Sequence, residues 1–191
     1  MKNRILFVSL AVVLALSVGL ISCDGDEEPE PGQFCIDFED LTLGTQYHVG
    51  DTFIDSGVVI AVQKFQWGNL QWYDGGYTEV SDNSSGCSGG SGQHMWVNNV
   101  NLNFTCASPW EGLSLLFGEY GGNLNIEING DFRNFENFHD IDGDIIGGVD
   151  VSVVNGFGND RGSLTLSGTI NSFAIGGQEL CIDDVCITIP S

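Results

Sequence analysis

Asn123-Leu124-Asn125-Ile126-Glu127-Ile128-Asn129-Gly130-Asp131-Phe132 is the stretch that decides the fold. Its first six residues alternate polar and apolar, the period of a strand with one buried face and one wet face. Asn129-Gly130 follows, and both residue types tolerate the positive φ that a tight hairpin turn demands. A strand resumes at Phe132. The stretch is a β-hairpin, and the rest of the chain is written in the same vocabulary.

Working outward, strands are expected at Phe34–Phe38, Val58–Phe65, Met95–Val97, Asn101–Cys106, Leu113–Phe117 and Asn123–Ile128. They continue at Phe132–Phe138, Val149–Val154, Ser163–Leu166, Thr169–Ile175 and Glu179–Ile189. Roughly ten strands spaced about 8–12 residues apart predict an all-β chain, a single β-sandwich or jelly roll of antiparallel strands over residues 34–191. Helix formers are scarce: beyond residue 22 the only alanines are Ala61, Ala107 and Ala174. No repeat of the length that builds a propeller or solenoid is present. Asn83–Gly92, rich in Ser and Gly, reads as the least regular loop.

The start of the chain is of another kind. Lys2 and Arg4 precede an apolar run from Ile5 to Leu20, broken only by Ser9, Ser17 and Gly19. That order is the order of an export signal, and the run is short for a bilayer span, which needs about 20 apolar residues. Leu20-Ile21-Ser22-Cys23 resembles the lipobox of bacterial lipoproteins. The resemblance implies that residues 1–22 are a signal peptide, with Cys23 acylated as the first residue of the mature chain. Asp24 to Gly32 holds five carboxylates, two prolines and no apolar side chain, so residues 23–33 read as a lipidated cysteine and an acidic tether. Such a stretch directly after the lipid cysteine resembles the surface-export signal of some Gram-negative lipoproteins. It implies an outer-membrane, surface-exposed location.

The leader carries two of the five basic residues and none of the 26 acidic ones. Lys64, Arg133 and Arg161 then face 26 carboxylates, a formal −23. A chain so charged repels nucleic acid and anionic surfaces, and it suits cations, neutral glycans or basic partners.

Five cysteines remain after Cys23, and export places them where thiols oxidise. Cys181 and Cys186 cannot pair within one extended strand. Five steps of about 3.3 Å part them by roughly 16 Å, against a limit of ~7 Å between Cα atoms. First and last strands often lie side by side in jelly rolls, so Cys35 is expected to bridge to Cys186 or Cys181. Cys87–Cys106 is expected to pin the glycine-rich loop, and the remaining thiol reads as a small buried apolar residue.

Ile36-Asp37-Phe38-Glu39 and Leu180-Cys181-Ile182-Asp183-Asp184-Val185 bracket the domain. The pair resembles the end strands of carbohydrate-binding-module jelly rolls of the galactose-binding-like group. That resemblance implies a structural calcium held by Glu39 and Asp183, with Asp184 as substitute if the register slips; hard oxygens in an acidic protein suit Ca²⁺. Phe117–Asn123 and Phe173–Leu180 resemble exported β-sandwich proteins, without chemistry attached. Asp140-Ile141-Asp142-Gly143-Asp144 invites an EF-hand reading but has Ile145 where glycine is required and Val151 where the closing glutamate belongs, so Asp142-Gly143 is expected to be a hairpin turn.

Phe65 to Tyr77 sets Trp67, Trp72, Tyr73 and Tyr77 among amides, an acid and glycines. Sugar rings stack on flat aromatics while amides and carboxylates bond their hydroxyls, so this is the expected ligand site. Trp96 and Trp110 are expected to anchor the core. His48, His94 and His139 are expected at the surface or in turns. No nucleophile elbow, H-E-x-x-H or P-loop occurs. The expected function is a non-catalytic, lipid-anchored glycan-binding module. The alternatives are a structural or adhesive protein binding another protein, then a glycan-active enzyme.

Overall fold

The Asn129-Gly130 hairpin is formed: in the computed structural model, β10 (Leu124–Ile128) pairs antiparallel with β11 (Asp131–Phe135). Asn129 and Gly130 take φ of 53° and 81°, the left-handed values of a two-residue turn. The structure describes residues 32–190. The leader, Cys23 and the tether up to Pro31 lie outside the described residues.

Two antiparallel sheets pack face to face. One runs in the order β11, β10, β15 (Phe173–Gly177), β8 (Val100–Phe104), β4 (Val58–Gln66), β3 (Thr52–Asp55), with β5 (Trp72–Tyr73) added to β4. The other, of nine strands, runs β12 (Ile145–Ile146), β13 (Val149–Val154), β14 (Asp160–Ile170), β9 (Trp110–Glu119), β16 (Leu180–Thr188), β7 (Gln93–Asn98), β6 (Tyr77–Asp82), β2 (Gln46–His48). Within it, β16 shares one edge between two partners: Leu180–Ile182 pairs with β7, and Val185–Thr188 pairs with β1 (Gln33–Ile36). Burial alternates along the outer strands, as in Val149–Val154, where Val149, Val151 and Val153 are buried and Asp150, Ser152 and Val154 are exposed, whereas the central β15 is buried throughout. The inward sets include Ile60, Leu102, Ile126, Ile175, Leu115, Phe117, Met95 and Ile182.

The all-β sandwich is as expected, with more and shorter strands than the sequence suggests. Tyr77–Asp82 is an additional strand, with Thr78 and Val80 alternating inward, and Gln46–His48 and Thr52–Asp55 are short segments near the sheet edges. The expected strand Thr169–Ile175 is two strands. β14 ends at Ile170 in one sheet and β15 begins at Phe173 in the other, because the Asn129 side chain takes up the crossing backbone. Its Nδ2 donates to the Thr169 carbonyl at 2.9 Å and its Oδ1 accepts from the Asn171 N–H at 2.7 Å. Asp142-Gly143 is a turn but not the hairpin's own. It follows a 3₁₀ turn over Phe138–Ile141, and Gly147-Gly148 closes the β12–β13 hairpin.

Two disulfides staple the nine-stranded sheet. Cys35 bonds Cys186, its direct partner in the β1–β16 register. Cys87 bonds Cys181, not Cys106 as expected. Cys106 is the free thiol among the described residues, half-buried, and burial pushes its pKa up to about 11. The correction has a geometric cause. Leu180 and Ile182 point into the core, so Cys181 faces the opposite side of the sheet, where the Asn83–Gly92 loop lies. Gly118, next to Cys181 on β9, leaves room for the Cys87 carbonyl where any Cβ would collide. Arg161 Nη2 donates to the Ser85 carbonyl and Tyr120 Oη to that of Cys87, at 3.1 and 3.2 Å.

Candidate functional site

The outer face of the seven-stranded sheet is built from the residues between the core positions. Registers place Gln63, Asn101, Gly176, Asn125 and Asn134 in one row across five strands. The next row is Ala61, Asn103, Ala174, Glu127 and Phe132. Ala174 and Gly176, both on β15, make the centre a trough. Over Gly176 the amides of the flanking strands meet: Asn125 Nδ2 donates to Asn101 Oδ1 at 3.1 Å. Asn134 Nδ2 donates to Asn125 Oδ1 at 2.8 Å, and Asn101 Nδ2 to the Lys64 carbonyl at 2.8 Å. Asn101 and Asn125 are buried yet bonded, which offsets the cost of placing amides out of water.

Trp72 closes one side of this trough. It is 56% exposed, and its ring centroid lies 5.6 Å from that of Phe132. Gln63, Trp72, Asn101, Asn125, Glu127, Phe132 and Ala174 line a shallow cleft there. Tyr73, 41% exposed, sits beside Trp67 at 6.2 Å, and Trp67 packs edge-on against the core ring of Phe65. Of the four expected ligand residues, Trp72 alone lines the cleft; Trp67 neighbours it in the β4–β5 loop and Tyr73 on β5 itself. Tyr77 lies in the other sheet, its ring against His48. Phe132, Glu127 and the asparagine row were legible only as strand residues, because cross-strand register brings them to one place.

A second cluster gathers at the opposite sheet. Phe38 and Glu39 lie past the end of β1 rather than on it: Phe38 has φ 62°, and its N–H donates to buried Asp55 at 2.9 Å. That turn aims Glu39 at the glycine-rich loop, where its Oε1 accepts from the Gln93 N–H at 2.6 Å. Asp183 reaches the same loop. Its Oδ2 accepts from Asn83 Nδ2 at 3.3 Å and Ser88 Oγ at 3.2 Å, and a side chain at Gly90 would collide with it. The expected pair Glu39 and Asp183 is therefore brought to one loop. Asp184 is not: it has φ 46° at a bulge between Asp183 and Cys186, and it lines a separate groove with Ser114, Ser163 and Thr165.

Burial pushes the Asp183 carboxyl up to about 7, with the neighbouring acids Asp184 and Glu39 adding to the rise and the Asp184 N–H and Ser88 hydroxyl opposing it. Asn83 Oδ1 is buried without a hydrogen-bond partner. A buried carboxylate, an unpaired amide oxygen and a second carboxylate fit a hard divalent cation such as Ca²⁺.

Cys87, His94 and Cys181 also converge, but the two sulfurs are bonded to each other, so His94 packs against a disulfide. His94 is buried rather than at the surface as expected, and burial lowers its pKa. Trp110 is in the core as expected; Trp96 is half-buried on the outer face beside Cys181. No family model, no curated protein and no solved structure matches this chain.

Proposed function

We propose that the chain is a lipid-anchored outer-membrane surface module that binds glycan without turning it over. The observation that carries the reading is Trp72, a mostly exposed tryptophan braced by Phe132 at the rim of an amide-lined trough. An exposed indole gives a sugar ring its stacking surface, and Gln63, Asn103 and Glu127 offer hydroxyl partners around it. The fixed amide row beneath holds the floor rigid, so little ordering accompanies binding. Calcium at Glu39 and Asp183, with Asn83 as a further oxygen ligand, would tie the end of β1 and the loop to β16 and serve structure rather than chemistry. Acylation of Cys23 would tether the domain. The formal charge disfavours nucleic acid as a partner class.

The test is titration of the domain, from Gln33 onward, with a polysaccharide panel while tryptophan fluorescence is followed. Saturable binding to a glycan, lost in Trp72→Ala at unchanged melting temperature, is the expected result. Silence across the panel would sink it. Adhesion to another protein would then stand first, because Ile54 and Val59, a cross-strand pair on the same sheet face, are 63% and 39% exposed.

A further inference from the structure

Glu127 is the group on this face that a neutral sugar does not require. It projects from β10 between Ala174 and Phe132 in the row that borders the cleft, half-buried, and it makes no hydrogen bond or ion pair among the described residues. Among the described residues, the lysine and arginines that could compensate it are engaged elsewhere. Lys64 pairs with Asp74 at 3.3 Å, Arg133 with Asp131 at 2.9 Å, and Arg161 lies on the other sheet against the Ser85 carbonyl. The asparagines of the floor are committed to one another and to the Lys64 carbonyl.

What remains open to a ligand is the Gln63 amide and, beside the two aromatic rings Trp72 and Phe132, a carboxylate in a chain of strongly negative charge. A carboxylate gives an ammonium an ion pair, and ring faces give it a cation–π contact, each stronger where water is partly excluded. The surrounding field draws small cations toward the surface and repels uronates. Ala174, between Glu127 and Asn103 in the row, keeps the floor low beside the two rings, so a sugar would lie across the face rather than enter it.

Resting on the glycan reading, we propose that the preferred ligand of this cleft is a sugar with a free amine, a 2-amino-2-deoxyhexose unit. Its ammonium lies against Glu127, and its ring stacks on Trp72.

The experiment compares three β-1,4-linked tetramers by calorimetry at about 150 mM salt, where long-range attraction is largely screened: the glucosamine, N-acetylglucosamine and glucose oligomers. The amine tetramer is expected to bind at least tenfold tighter than the other two. Glu127→Gln should erase that preference and keep the weak binding of the neutral tetramers. Asp150→Asn, an exposed acid on the other sheet, should leave it intact and so separates local recognition from bulk charge. Equal affinity for all three tetramers, or binding only to a different polysaccharide, overturns the amine and leaves the glycan reading standing. No binding to these or to the wider panel overturns both. A lysine peptide of equal charge that binds as tightly, with the same loss in Glu127→Gln, overturns the sugar as the cation's carrier.

Discussion

Asn125 and Asn101 lie on strands that are not neighbours, yet Asn125 Nδ2 donates to Asn101 Oδ1 at 3.1 Å across the intervening strand. Gly176 makes this reach feasible: a Cβ there would meet both Asn101 Oδ1 and the Val100 carbonyl. Gly176→Ala should therefore destabilise the domain by about 1–3 kcal/mol through overpacking, and by more if the buried amides lose their bond. Denaturant unfolding measures it. A midpoint equal to that of the parent would mean that the amide row is not held as described.

The disulfide map makes a second prediction. Peptide mapping without reduction should recover Cys35 with Cys186 and Cys87 with Cys181, and Cys106 alone. Replacing Cys87 and Cys181 by serine should cost about 2–4 kcal/mol, since a long loop is freed in the unfolded chain. Cys106→Ser should be near neutral. The Cys106 thiol, with its raised pKa, should react slowly with alkylating reagents at neutral pH until the domain is unfolded.

Calcium should stabilise the fold. A cation present at about 100 times its Kd adds about 2.7 kcal/mol by mass action. Thermal unfolding in calcium against chelator should show that gap. Asp183→Asn should close it and Asp184→Asn should leave it, because only Asp183 shares a loop with Glu39. Identical midpoints in calcium and chelator for the parent would remove the ion.

Glu119 supplies the pH prediction. It is buried, its Oε2 accepts from the Phe138 N–H at 2.8 Å and its Oε1 from the Gly158 N–H at 2.7 Å. Burial raises its pKa, with Asp160 and Asp140 adding to the rise and the two N–H bonds opposing it. A carboxyl whose folded pKa exceeds its unfolded one contributes stability that is fully present below the unfolded value, about 4.3, and is lost as pH rises through the folded value. Stability should therefore fall as pH rises above the ordinary carboxylate range, and Glu119→Gln should flatten that slope. A slope unchanged in the variant would assign the pH dependence to other acids.

The sequence by itself determined the class of fold. Alternation in Asn123–Ile128 and the Asn129-Gly130 turn are local properties, set by a residue and its neighbours two positions away, so they survive without any tertiary contact. It also excluded a bond between Cys181 and Cys186, because an extended backbone fixes their separation. It misplaced Cys87–Cys106 and set Tyr77 beside Trp72, since nearness along the chain is a poor guide once strands are shuffled between two sheets. The tertiary structure decided those matters. With β16 running between β9 and the β7–β1 edge, Cys181 and Asp183 both face the Asn83–Gly92 loop, about a hundred residues away in the chain. With β15 between β8 and β10, Phe132, Glu127 and the asparagines from three strands share one face. Register, not sequence distance, chooses those neighbours, and register is fixed only when both sheets bury their apolar faces together.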